Sequence, residues 1–208
     1  MNKKIILDFE TNRPNPATAE PIEATFLFIE NDEIVKEFSS KLFSNLYWEE
    51  VIKDQELYDT LVFNGIKSES DLENHDREAK NVNQFMLEVM TYIKEFTGGY
   101  WIALTGWNNS GFDNLIFRRI VDEIEPGFYK KYIQYHARDI YHNFRVLENC
   151  GAYEGKLNLQ HVHTKIIGTL SPSDFHKSRN DCIAVLDLDR WFTKVVKFDI
   201  SLQTIKGD

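Results

Sequence analysis

The sequence predicts an α/β fold in which a mixed β-sheet is covered by helices. Three observations lead there: alternating apolar stretches open the chain, helical and strand-like periods alternate afterwards, and no repeat or linker divides the 208 residues. Residues 3–10 read as a strand with Ile5, Leu7 and Phe9 on one face and Ile6, Asp8 and Glu10 on the other. After a Pro/Asn loop at 12–21, residues 23–30 and 33–40 read as two more strands, joined at Asn31-Asp32, which has hairpin-turn chemistry. The sheet therefore begins antiparallel.

From residue 44 the period lengthens, and Leu46, Val51, Leu57, Leu61 and Val62 suit a helix stopped by Asn64-Gly65. Residues 67–80 are polar and read as an exposed loop. Asn81 can cap a helix whose stripe is Val82, Phe85, Val89 and Ile93, ended by Gly98-Gly99. The aromatic-rich run 100–105 reads as a central strand, and the loop 106–111 feeds a helix that begins near Phe112. Residues 137–148, 157–167 and 177–195 are further helical candidates.

With 42% hydrophobic and 13% aromatic residues, the chain can bury one substantial core. The expectation is a single domain over 1–208 with a helical insertion at about 41–80. Cys150 and Cys182 allow at most one disulfide, and the three apolar residues before Asp8 are too few for a signal peptide. A cytoplasmic protein with free thiols is expected, and no apolar run approaches the roughly 20 residues of a membrane span. The formal charge of −9 argues against a tight, nonspecific coat on duplex DNA. Two bound divalent cations would offset four of those charges, which leaves room for an end-directed binder.

Three short segments carry the chemistry. Asp8 and Glu10, two apart on a strand, point the same way roughly 7 Å apart and can share or bridge metal ions. The spacing is common in a chain with 33 acidic residues; what distinguishes this pair is that it ends an apolar strand, where a charge must be solvated, paired or metal-bound. The alternative is an exposed strand end. Asn109-Ser110-Gly111-Phe112-Asp113 places an acid in the first turn of a helix, where it could equally serve as a cap. In His176-Lys177-Ser178-Arg179-Asn180-Asp181, five helical steps turn about 500°, so the two end residues cannot share a helical face. They converge only if His176 lies in the loop before the helix; otherwise the segment is a capping loop with a surface histidine. His161 and His163, two apart on a candidate helix, face different ways, and His75, His136 and His142 show no metal-ligand spacing in the sequence.

Taken together, Asp8-Phe9-Glu10-Thr11, then Asn109 to Asp113 with Phe117, then His176 with Asp181 five residues on resemble the three exonuclease motifs of the DEDDh (DnaQ-like) 3′-to-5′ exonucleases. Ala137-Arg138-Asp139-Ile140 and Lys156-Leu157-Asn158-Leu159 resemble lesser family segments, so the likeness runs from residue 5 to about 192. It differs in the longer, more helical stretch 41–80, and in Trp107-Asn108, where the family often has a histidine. The resemblance implies a ribonuclease H-like fold with a mixed five-stranded sheet flanked by helices. It implies that Asp8, Glu10, Asp113 and Asp181 hold two Mg²⁺ or Mn²⁺ ions and that His176 acts as general base. It places the 3′-terminal base near Phe9 and Phe112, which could instead be core residues, and its sugar or phosphate near Thr11 and Asn109. Arg118, Arg119 and Lys177 could meet backbone phosphates or remain solvated. The implied activity is release of nucleoside 5′-monophosphates from single-stranded 3′ ends, with DNA favoured. An RNA-trimming exoribonuclease, a noncatalytic polymerase-associated nucleic-acid-binding module and an internally cutting ribonuclease H-like nuclease are the alternatives. A homodimer or a polymerase subunit are the assemblies the family suggests.

Overall fold

The computed structural model describes residues 3–134 and 136–204. Strands β1 (Lys3–Thr11), β2 (Pro21–Glu30) and β3 (Glu33–Lys41) form an antiparallel meander. Parallel strands β4 (Leu104–Gly106) and β5 (Arg138–Asp139) complete a five-stranded sheet in the order β3-β2-β1-β4-β5. This is the mixed, helix-flanked sheet that the sequence predicts. Among the described residues no helix is long and apolar enough to cross a membrane.

The alternation of β1 decides the layering. Ile5, Leu7 and Phe9 pack with Phe26 and Phe28 against α4 (Val82–Thr97), α5 (Asp113–Ile124) and α6 (Phe128–Tyr132). Ile6 faces the opposite layer of α7 (Ile140–Asn149), α8 (Leu159–Ile166) and α9 (Ser178–Thr204). Asp8 and Glu10 continue the Ile6 face, so they emerge toward the start of α9.

Several expected elements differ. The helix expected to end at Asn64 is broken into α1 (Trp48–Val51) and α2 (Gln55–Phe63), because Asp54 caps α2 by accepting the Leu57 N–H at 3.1 Å. The loop expected at 67–80 contains α3 (Glu69–Glu78), capped by Ser68, whose hydroxyl accepts from Asp71 N–H at 3.2 Å. Only Leu72 and His75 of α3 are buried, so its sequence carries little apolar stripe. These helices form a third small core of Val51, Leu57, Leu61, Ile66 and Leu72 on Ile22 of β2. The strand expected at 100–105 is displaced: Tyr100 and Trp101 are 80% and 67% exposed, and regular pairing begins at Leu104. Arg138 and Asp139, expected to be helical, pair with β4 before α7 begins. Helix α6 was carried by no sequence expectation.

At the far end of β1 from the acids, Lys4 Nζ donates to Asp189 Oδ2 of α9 at 2.7 Å, and Arg138 lies 2.6 Å from the other oxygen. Both Lys4 and Asp189 are buried. Asp189→Ala should cost about 3 kcal/mol of unfolding free energy in urea melts by leaving the buried Lys4 ammonium only the exposed Asp32 carboxylate at 3.2 Å; a loss below about 0.5 kcal/mol would contradict a stabilising role for the Lys4–Asp189 pair.

Candidate metal and nucleic-acid site

The β1–β4 ladder ends at Ile6 and Thr105, so the last part of β1 has a free edge on that side. Asp113, the first residue of α5, fills it: its Oδ1 accepts the Phe9 N–H at 3.0 Å. The loop before Asp113 is fixed in turn by Asp139, which accepts from Asn108 N–H at 2.8 Å and from the Ser110 hydroxyl at 2.7 Å. On the other face, α9 starts at Ser178 and carries Asp181 in its first turn.

Asp8, Glu10 and Asp181 each offer a carboxylate oxygen within 4.8 Å of the other two. Asp113 is not in that cluster of three, but its charge acts on Asp8 and Glu10. Burial, reinforced by repulsion from the neighbouring acids, drives the Asp8 carboxyl far above the ordinary range. Burial likewise raises Glu10 to about 8, with Asp181, Glu23 and Asp113 adding repulsion. Asp113 is raised by burial to about 7 although the Phe9 N–H pulls it down. Asp181 is raised to about 7 by burial, opposed by the His176 N–H. The buried Asp181 Oδ1 has no hydrogen-bond partner. An oxygen-only set of crowded acids with an unpartnered buried oxygen fits a hard divalent cation, which would relieve both the repulsion and the orphan.

His176 lies in the loop before α9, where convergence with Asp181 would need it, and is itself exposed. Its backbone is left-handed at φ +62, and its ring meets Phe63 edge-on with centroids 4.4 Å apart. Although the residue is exposed, desolvation by the surrounding protein holds its imidazole below the ordinary histidine value. It shares a cavity of about 280 Å³ with Glu10, Glu23 and His75. Beside it, a groove of about 380 Å³ is lined by Phe9, Glu10, Thr11, Phe63, Asn64 and Phe112.

Three of the four expected substrate contacts, Phe9, Thr11 and Phe112, thus face one groove. Phe9 is at the same time a core residue. Asn109 lies elsewhere: its side chain is fully buried against Gly106, with neither amide atom hydrogen-bonded. Arg119 donates to the carbonyls of Ala17 and Ala19, and Arg118 lies over the Tyr129 ring near Asp122, so both are engaged within the protein. Lys177 is exposed beside His176. His161 is exposed and His163 buried, as two positions facing different ways should be. Two contributors escaped the sequence reading. Glu23 stands opposite Glu10 in the β1–β2 register, and Phe63 of α2 is 63% exposed at the groove. An acid inside the apolar stretch of β2 was a signal for the first; nothing in the sequence pointed to the second.

No family model and no curated protein matches the chain. Solved structures of exonuclease I are similar to it. One exonuclease I structure superposes with a TM-score of 0.69 at 15% identity, over 95% of this chain and 44% of that one. Escherichia coli exonuclease I with a dT13 oligonucleotide gives 0.67 at 17% identity, over 96% and 43%. The zinc-bound E. coli exonuclease I complex with single-stranded DNA gives 0.66 at 14% identity, over 91% and 40%. The chain spans less than half the length of these proteins. Likeness at this identity establishes the fold, which is ribonuclease H-like.

The folded protein keeps protons on these acids at pH values where the unfolded chain has lost them, so without metal its stability falls as pH rises from about 4.5 to about 8. Asp8→Asn should flatten that fall and stabilise the metal-free protein at pH 8 by about 1–3 kcal/mol. Mg²⁺ or Mn²⁺ should raise the thermal midpoint of the wild type at pH 8 and leave that of the variant nearly unmoved. Equal metal responses in the two proteins would contradict the cluster as a cation site.

Proposed function

We propose that this chain is a metal-dependent 3′-to-5′ exonuclease that releases nucleoside 5′-monophosphates from single-stranded ends, with DNA favoured. The observation that carries the reading is the meeting of Asp8, Glu10 and Asp181 within 4.8 Å beside a groove walled by Phe9, Phe63 and Phe112. Aromatic walls suit an unpaired base, which offers a π-face that a paired base keeps within its helix. The complexes of exonuclease I with single-stranded oligonucleotides support that choice of substrate.

Asp8, Glu10, Asp113 and Asp181 would hold two Mg²⁺ or Mn²⁺ ions. When bound, such ions supply charge that activates water and offsets the charge developing on the scissile phosphate. Thr11 is buried, and its hydroxyl donates to the Arg13 carbonyl at 2.8 Å, which fixes the groove floor beside Glu10. His176 is the proton acceptor of the proposal: its depressed pKa keeps the imidazole neutral, and so able to accept, at physiological pH. His176 is left-handed at φ +62 five residues before Asp181, and its backbone N–H acts to lower the Asp181 carboxyl.

A 5′-labelled single-stranded DNA oligomer and its RNA counterpart, incubated with Mg²⁺, Mn²⁺ or EDTA, test the reading. The expected result is a ladder shortening one nucleotide at a time from the 3′ end, faster on DNA and abolished by EDTA. Preference for RNA would identify a trimming exoribonuclease, and internal fragments an endonuclease. A protein inert with both metals on every 3′ end would leave a noncatalytic module. His176→Ala should lower kcat by roughly 10²–10⁴-fold.

A further inference from the structure

The first turn of α9 is held by contacts that come from the sheet. Ser178 is fully buried, and its backbone N–H is a first-turn donor with no acceptor inside the helix. Glu23 of β2 supplies that acceptor. Its Oε1 takes the Ser178 N–H at 2.9 Å and the Ser178 hydroxyl at 2.8 Å. The same hydroxyl lies 2.8 Å from Thr25 Oγ1, which is 2.8 Å from Ser39 Oγ of β3. A carboxylate at this place is favoured by the partial positive charge of the helix start.

His176 is two residues before Ser178 and Asp181 three residues after it. A left-handed, non-glycine residue such as His176 persists only where its surroundings hold it. Glu23 also stands across the ladder from Glu10 and adds to the repulsion among the acids. A fifth acid here works against metal-free stability, and the paired bonds to Ser178 are what offset it. The other tethers of the turn are peripheral: Arg179 forms an exposed pair with Glu37 at 2.7 Å, and Asn180 donates to the Asp174 carbonyl at 2.8 Å.

We propose that Glu23 is a positioning residue: by accepting both donors of Ser178 it fixes the turn that places His176 in the cavity it shares with Glu10. Its effect on catalysis rests on the exonuclease reading, whereas its effect on the turn does not.

The test compares Glu23→Ala, Glu23→Gln and, as control, Glu37→Ala in the full chain. Each variant is first checked for fold by circular dichroism, then assayed for kcat and KM on a single-stranded DNA oligomer. Native-state trypsin cleavage after Lys177 and Arg179 reports directly on the order of the turn. Glu23→Ala should lower kcat about 10–100-fold with KM changed by less than about threefold, and should speed cleavage about tenfold. Glu23→Gln, whose amide oxygen still accepts both donors, should stay within about threefold of wild type in both readouts, as should Glu37→Ala. Should Glu23→Ala not fold, Ser178→Ala keeps the N–H and removes the hydroxyl, and is expected to give a smaller change in the same directions. Unchanged kcat and unchanged trypsin resistance in the variant that folds would overturn the proposal. So would a Glu23→Gln protein that loses kcat as far as Glu23→Ala with its turn still protected, since Glu23 would then act by charge. If the wild type degrades no oligomer, the exonuclease reading fails and the cleavage rates alone still decide the role of Glu23.

Discussion

Acids that repel one another in a partly dry site are the constraint around which this molecule is arranged. Asp8, Glu10 and Asp181 lie within 4.8 Å, with Asp113 and Glu23 close enough to raise their neighbours further. Such a group does not assemble by itself; the sheet and two helices impose it. Strand β1, buried on both faces, aims Asp8 and Glu10 at α9. Helix α5 docks through Phe117 and Ile120 and delivers Asp113 to the free edge of β1, where it takes the Phe9 N–H. Helix α9 docks through Cys182, Val185 and Leu188 and brings Asp181 from the far end of the chain. The hydrophobic layers supply the free energy that the acids oppose, and a divalent cation would turn the opposition into attraction.

The groove beside the acids depends on a second arrangement, the attachment of α2 across the end of β1. Arg13, just after β1, pairs with Asp54, the cap of α2, at 2.5 Å. Asn64, at the other end of α2, donates to the Thr11 carbonyl at 2.8 Å. Leu57 and Leu61 bury the inner face of α2 on Ile22. Tied at both ends, the helix holds Phe63 opposite Phe9 and Phe112 and against the His176 ring. The segment 41–80 is therefore part of the site wall, and the environment of the imidazole is set partly by it.

How much of this is legible in the sequence depends on whether a residue's role follows from local pattern or from register. Asp8 and Glu10 stand out because they end an apolar strand. His176 is assigned to a loop because its spacing from Asp181 excludes a shared helical face, and α9 does begin two residues later. Glu23 is marked locally only as an acid within the apolar stretch of β2, and its place opposite Glu10 follows from the hairpin register. Helix α3 is hidden because most of its surface is solvated, although Ser68-Glu69-Ser70-Asp71 is a usable capping signal. The 100–105 run misleads because aromatic residues favour strands, while Tyr100 and Trp101 remain outside the sheet and exposed. Asn109, assigned to substrate through motif likeness, is packed under the loop by its contact with Gly106.

Anomalous diffraction from crystals soaked in MnCl₂ would test the central claim most directly. The account predicts ordered manganese contacted by carboxylate oxygens of Asp8, Glu10 and Asp181, lost in Asp8→Asn. Fully occupied manganese elsewhere on the protein, with no anomalous density among these three acids, would contradict it.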